Sequence, residues 1–275
     1  MKLSCLDKAT RDFSKTDKMP VLFLGHGSPM NAIEENEFVQ GFRKVGKEIP
    51  KPNAVLCISA HWETKGTWVT AMEKPRTIHD FGGFPPALYA VDYPAPGQVD
   101  LAKRVRVLLG EERAELNPDW GLDHGTWSVL RWMYPDADVP VVQLSIDRRQ
   151  PPRVHVELAR SLAGLREDGV LIFASGNAVH NLRDAFARRR AGNEDTPDWA
   201  QRYDDTLAKI LEQRDIEALL GLTDTDDGRL AHPTPDHWLP LLYAFGASDA
   251  ADELRFPQAG FDWGSISMRN ALFGQ

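Results

Sequence analysis

Val21-Leu22-Phe23-Leu24 runs directly into Gly25-His26-Gly27-Ser28-Pro29, and Ala54-Val55-Leu56-Cys57-Ile58 runs directly into Ser59-Ala60-His61-Trp62. Short continuous apolar runs, rich in branched residues and bounded by turn formers, read as strands buried on both faces. Between them, 34–47 carries Phe38, Val39, Phe42 and Val45 in a helix-like stripe closed by Pro50 and Pro52. Strand, helix and strand make a βαβ unit, whose crossover is expected to be right-handed. A histidine just past the carboxyl end of a buried strand stands where open α/β sheets place their ligands. Two in the same position point to a shared site, and paired imidazoles most often share a metal or a proton.

The same grammar continues along the chain. Buried strands are expected over 140–146 and 170–174, with a short one over 68–72. Helices are expected from 97, with Leu101, Val105, Leu108 and Leu109 inward; over 152–167; around Trp199, Tyr203, Leu207, Ile210 and Leu211; and over 183–190, a basic, solvated helix end. Residues 78–96 form a long loop rich in Pro, Gly and aromatics. Phe81, Phe84, Tyr89 and Tyr93 argue for an ordered wall or lid there. Residues 119–127 read as loop leading into a helix over 128–133. In His232-Pro233-Thr234-Pro235-Asp236-His237-Trp238, Thr234 reads as an N-cap and Pro235 as the first helical residue, which puts His237 in the first turn of a buried helix. Residues 265–268 alternate like an edge strand.

With 275 residues, 42% hydrophobic and 26% charged, the chain suits one large α/β domain, residues 19–275, after a polar arm of residues 1–18. The net charge of −8 argues against nucleic acid or an anionic membrane as partner. No apolar run approaches the ~20 residues of a membrane span, and the arm lacks a signal-like apolar region. The two cysteines, Cys5 and Cys57, form no framework, which fits a reducing cytoplasm, and Cys57 reads as a small core residue. The acidic surface, with no long apolar stripe, leaves the oligomeric state open.

Five of the eight histidines, His26, His61, His124, His180 and His237, share a context of Gly-, Pro- or aromatic-rich turns beside a strand end or helix start. His155 falls inside an amphipathic helix and reads as structural, His232 as a loop residue, and His79, beside Asp80, as an orienter or substrate contact. Zinc-finger spacing, HExxH, GxGxxG, a Walker loop and GxSxG are all missing. The remaining reading is one metal held mainly by imidazoles, walled by Trp62, Phe81, Phe84, Trp127 and Trp238. Neutral nitrogen donors suit Fe(II) or Zn(II), and an aromatic wall suits a flat aromatic substrate.

The strings GHGSPM, SAHW, IHDFGGFP, YPAPG, DHGTW, PVVQLSID, ASGNAVHNL and PTPDHWLPLLY resemble, in order, the 4,5-DOPA dioxygenase extradiol family. These are class III extradiol ring-cleavage dioxygenases related to the protocatechuate 4,5-dioxygenase catalytic subunit. The resemblance implies a single-domain α/β/α sandwich with a mixed, mostly parallel sheet, a non-haem metal, and O2-dependent opening of a catechol ring. By the same resemblance His26, His61 and His237 are metal ligands, His180 a catalytic base or a fourth ligand, and His124 a substrate contact. Where many non-haem iron sites carry a carboxylate, the third position here is His237, with Asp236 beside it. That exchange leaves one more positive charge on the centre, which favours a catecholate but also admits zinc. A zinc hydrolase on the same histidines, or a metal-binding protein without catalysis, is the alternative reading.

Overall fold

The computed structural model of the chain describes residues 17–193 and 195–274; Cys5 and the polar arm, except Asp17 and Lys18, lie outside them. The strands in chain order are β1 (Val21–Gly25), β2 (Ala54–Thr64), β3 (Thr67–Thr70), β4 (Ala114–Asn117), β5 (Val141–Asp147), β6 (Val170–Gly176), β7 (Leu254–Arg255), β8 (Phe261–Asp262), β9 (Ile266–Ser267) and β10 (Ala271–Phe273). The main sheet has the order β4-β3-β5-β2-β6-β1-β10-β7, and β8 and β9 form a separate hairpin. β5, β2, β6 and β1 are mutually parallel; β3, β10 and β7 bring in the antiparallel contacts.

The helices are α1 (Glu37–Glu48), α2 (Pro86–Tyr89), α3 (Val99–Leu109), α4 (His124–Met133), α5 (Pro152–Leu162), α6 (Leu182–Arg190), α7 (Asp198–Gln213), α8 (Ile216–Gly221), α9 (Asp226–Ala231) and α10 (Leu239–Ala247). They sandwich the sheet because its central strands are apolar on both faces, and successive side chains point to opposite sides. Val21, Phe23, Leu56, Ile58 and Ile172 pack with α3, α5, α7 and α10. Leu22, Leu24, Val55, Cys57, Leu171 and Phe173 pack with α1 and α4. Each fully buried Leu or Phe adds about 1.5–3 kcal/mol, so both faces drive folding. The α/β/α sandwich with a mixed, mostly parallel sheet is as expected.

Several expectations need correction. β2 does not stop before His61 but runs to Thr64, since its register with β5 shifts between Ile58 and Glu63. Its pairing with β6 ends at Ser59, so His61 lies in an irregular stretch inside the strand. α4 begins at His124, earlier than 128, because Asp123 caps it by accepting from Thr126 N. α10 starts at Leu239, with Pro240 in its first turn; His237 lies in the turn before it and Thr234 is not its cap. Leu108 faces outward, 38% exposed. β4, β7 and β10, of four, two and three residues, are too short for a periodic signal.

Candidate active site

The order β2-β6-β1 puts the carboxyl ends of three central strands side by side, and the histidines that follow these runs meet there. His26 follows β1, and its backbone N–H donates to Gly176 O at 3.0 Å. Gly25 is required, because a Cβ there would stand 2.9 Å from Met268 Cα. Ser175, near the end of β6, donates to Gly125 O at 2.6 Å. Its only proton is thereby committed, so at 2.9 Å its Oγ can only accept from His26 Nδ1. His26 therefore turns a bare Nε2 inward.

His61 Nε2 lies 3.0 Å from His26 Nε2. His61 Nδ1 lies 3.3 Å from Asp80 Oδ2. His124, the first residue of α4, is gripped by the same carboxylate: its backbone N–H donates to Asp80 Oδ1 and its Nδ1 to Oδ2, each at 2.9 Å. Under them, buried Asp123 accepts from Ser59 Oγ and Gln143 Nε2, both at 2.7 Å, which ties the helix start to β2 and β5. Gly125 lets α4 approach, since a Cβ there would stand 2.6 Å from Ser59 Oγ and 3.0 Å from His61 Cδ2.

His237 is placed through its backbone. Its carbonyl accepts from Asn177 N at 3.0 Å, over Gly176, where a Cβ would stand only 2.2 Å from that oxygen. Its Nδ1 bonds the Asp236 carboxylate, leaving Nε2 for the cavity. His180 is held by its N–H to Ala231 O at 2.9 Å and by bridging Ile266 of β9. Its ring stacks on that of His237.

Burial, reinforced by the surrounding imidazoles, holds His26 and His237 well below the usual histidine range. Burial and His124 do the same to His61, against the opposing pull of Asp80. Burial takes His180 down to about 4, partly opposed by Asp236. Burial would raise Asp80, but the His124 bonds and the nearby His61 outweigh it and hold the carboxyl below its ordinary value. His26, His61 and His237 thus offer neutral nitrogens, all within 4.8 Å of one another. Converging lone pairs whose opposite ring nitrogens are tied down are what a divalent cation needs from imidazoles, and this donor set fits one. His180 groups instead with Asp236 and His237.

The cavity over these nitrogens has a volume of about 260 Å³. Phe81 and Phe84 wall one side, as expected; Leu182, Phe186, Trp263 and Ile266 form the other. Trp62, Trp127 and Trp238 do not line it: Trp62 stacks on Trp120, Trp127 donates to Ile78 O, and Trp238 belongs to the core. His155 bonds Tyr243 Oη at 3.0 Å, away from the cluster; His232 bonds Ala178 O at 2.9 Å and lies near enough to His180 and His237 to act on them electrostatically, but does not line the cavity. His79 bonds Val91 O at 3.0 Å and pins the loop, while its neighbour Asp80 does the orienting. Asp80 and Ser175 carry no signal of their own in one sequence, although Ser175 sits at the end of a predicted strand, where site residues gather.

Residues 20–274 match the family model described as the catalytic LigB subunit of aromatic ring-opening dioxygenase. The chain belongs to this family of ring-cleaving dioxygenases and is an oxidoreductase. Within it, the chain is 47% identical over 261 residues to a 4,5-DOPA dioxygenase extradiol of Escherichia coli K12, covering 94% of this chain and 95% of that one. It is 37% identical to a protein of the same name from Beta vulgaris, covering 91% and 95%. The crystal structure of an uncharacterized protein of Escherichia coli K12 superposes with a TM-score of 0.80 at 42% identity, covering 93% of this chain and all of that one. Among the described residues, no helix is long and apolar enough to cross a membrane.

Proposed function

We propose that the chain opens a catechol-type ring beside its hydroxyls with O2, at one metal held by His26, His61 and His237, and that DOPA or a close relative is the substrate. The observation that carries this reading is the convergence of three neutral imidazoles, with at least two of their far nitrogens tied down, under a cavity with apolar and aromatic walls. A bound Fe(II) would supply the Lewis acidity that acidifies the catechol hydroxyls and the redox capacity to activate O2; Zn(II) fits the same donors.

The rest is the work of the chain's own groups. Phe81 and Phe84 on one side and Leu182, Phe186 and Trp263 on the other hold a flat ring and exclude water. His180, neutral at pH 7 and lining the cavity, accepts the proton of a catechol hydroxyl. His124 presents its remaining nitrogen, Nε2, to a substrate oxygen. The buried, free thiol of Cys57 fits a cytoplasmic setting.

The test is to strip the metal, reconstitute anaerobically with Fe(II), and admit air with DOPA. The reading requires a yellow ring-opened semialdehyde whose formation consumes O2. Activity that Zn(II) restores without oxygen would replace it with a hydrolase.

A further inference from the structure

The loop carrying Asp80 is fixed from several directions. Ile78 N donates to Leu122 O at 2.7 Å, Trp127 Nε1 donates to Ile78 O at 2.8 Å, and His79 is bonded to Val91 O. So held, one carboxylate reaches two imidazoles: Oδ2 is 2.9 Å from His124 Nδ1 and 3.3 Å from His61 Nδ1, while Oδ1 takes the His124 backbone N–H. We propose that Asp80 is a positioning residue whose carboxylate selects the tautomers of His61 and His124 together, so that both turn a bare Nε2 to the cavity. The part concerning His61 rests on the metal site proposed above.

For His124 the argument is direct. An ionised carboxylate can only accept, so the proton of a neutral His124 must sit on Nδ1. Its Nε2, the one nitrogen left for a substrate, is then an acceptor.

For His61 two arrangements compete. With the proton on Nε2, His61 would donate across the 3.0 Å to His26 Nε2, which is bare because Ser175 holds the other side of that ring. Two candidate ligand nitrogens would then close on each other. With the proton on Nδ1, the N–H stands 3.3 Å from the Asp80 carboxylate, a charge contact rather than an aligned hydrogen bond, and Nε2 stays bare. The negative charge at 3.3 Å favours the second arrangement and keeps the pair open for a cation. His61, Asp80 and His124 also lie close enough to hold a cation themselves. However, both Asp80 oxygens already accept from N–H groups of His124, so they act there as hydrogen-bond acceptors.

An asparagine cannot substitute. With its oxygen toward the two Nδ1 atoms, its amide nitrogen faces the His124 backbone N–H. Turned around, its NH2 meets both Nδ1 atoms and drives their protons to Nε2.

The experiment compares wild type, Asp80→Asn and Asp80→Glu as full-length protein, with thermal melting to confirm folding. Zn(II) affinity is read by competition with a chromogenic chelator, and kcat and KM for DOPA are read at saturating Fe(II). Asp80→Asn should bind Zn(II) about 10- to 100-fold more weakly. At saturating metal its kcat should fall about 100-fold or more with KM within about twofold, and Asp80→Glu should regain part of both losses. Wild-type zinc affinity in Asp80→Asn, or a raised KM with kcat intact, overturns the proposal. Long-range 1H–15N spectra of the metal-free wild type give a variant-free check: protons on Nδ1 of His61 and His124 are required, and an Nε2 proton on either refutes it. Zinc affinity and tautomer are read without turnover, so they judge this proposal even if the protein opens no catechol ring.

Discussion

The rings of His180 and His237 lie face to face, with centroids 3.4 Å apart and planes inclined by only 10°. An imidazole coordinates along its ring plane, so two parallel rings at stacking distance cannot both aim squarely at one ion. On the proposed reading His237 serves the metal with His26 and His61, and His180 acts as the base beside it. Exchange of His180 for Ala should therefore preserve about one metal per chain and lower turnover about 10²- to 10⁴-fold, whereas His237→Ala should lose the metal. Elemental analysis alongside initial rates separates the two; a His180→Ala protein that no longer retains metal would make it a ligand.

Acid should destabilise the metal-free protein through its buried histidines. Burial takes His155 and His232 to about 4, against partial compensation from their hydrogen bonds. In the unfolded chain they titrate near ~6.5. Between those values the unfolded state binds more protons, so stability is complete above pH ~6.5 and falls as the pH drops toward 4. His155→Gln should remove about one proton from the slope of unfolding free energy against pH in that window. Urea titrations from pH 7 to 4.5 measure it; an unchanged slope would show that His155 does not titrate as described.

Gly125 is a tight packing point between α4 and β2. A methyl there meets Ser59 Oγ at 2.6 Å and His61 Cδ2 at 3.0 Å. Exchange for Ala should cost about 1–3 kcal/mol of stability. It should also weaken metal binding by displacing His61. Thermal melting and chelator competition on the same sample check both effects, and a variant that melts and binds like wild type would show that α4 moves aside freely.

Phe186 is 46% exposed and packs on Trp263 at the cavity edge, with ring centroids 5.4 Å apart. It can cover substrate while carrying little of the fold. Phe186→Ala should raise KM for DOPA about three- to tenfold, leaving kcat and melting temperature nearly unchanged. A fall in kcat alone would mean that Phe186 acts on a step after binding.

What a single sequence revealed, and what it hid, follows from the range of each interaction. His26 was legible because a strand, a turn and a histidine are consecutive, and the local chemistry of Val21 to Gly27 is enough to place them. The α/β class was legible for the same reason. The start of α4 was missed although Asp123 is a good cap, because the aromatic, Gly-rich run after it obscured the periodicity. The cavity wall was half right: Phe81 and Phe84 lie in the loop that looked functional, while Phe186 and Trp263 arrive from α6 and the β8–β9 turn. Trp127 and Trp238 were misassigned since proximity in sequence to a site histidine does not say which way a ring points. The hold of Asp80 on His124 spans 44 residues and depends wholly on tertiary structure.

The pairing of β1 with β10 has a consequence for how the protein is made. Val21 pairs with Phe273, and Gly25 N donates to Asn270 Oδ1 across 245 residues. During translation, the strand that delivers His26 must wait for residues near 273 to leave the ribosome before its second edge is covered. Until then that edge is open to wrong partners. The strand that delivers His26 therefore depends for its second edge on a segment about 250 residues further along the chain, so its setting in the sheet is a long-range product of folding.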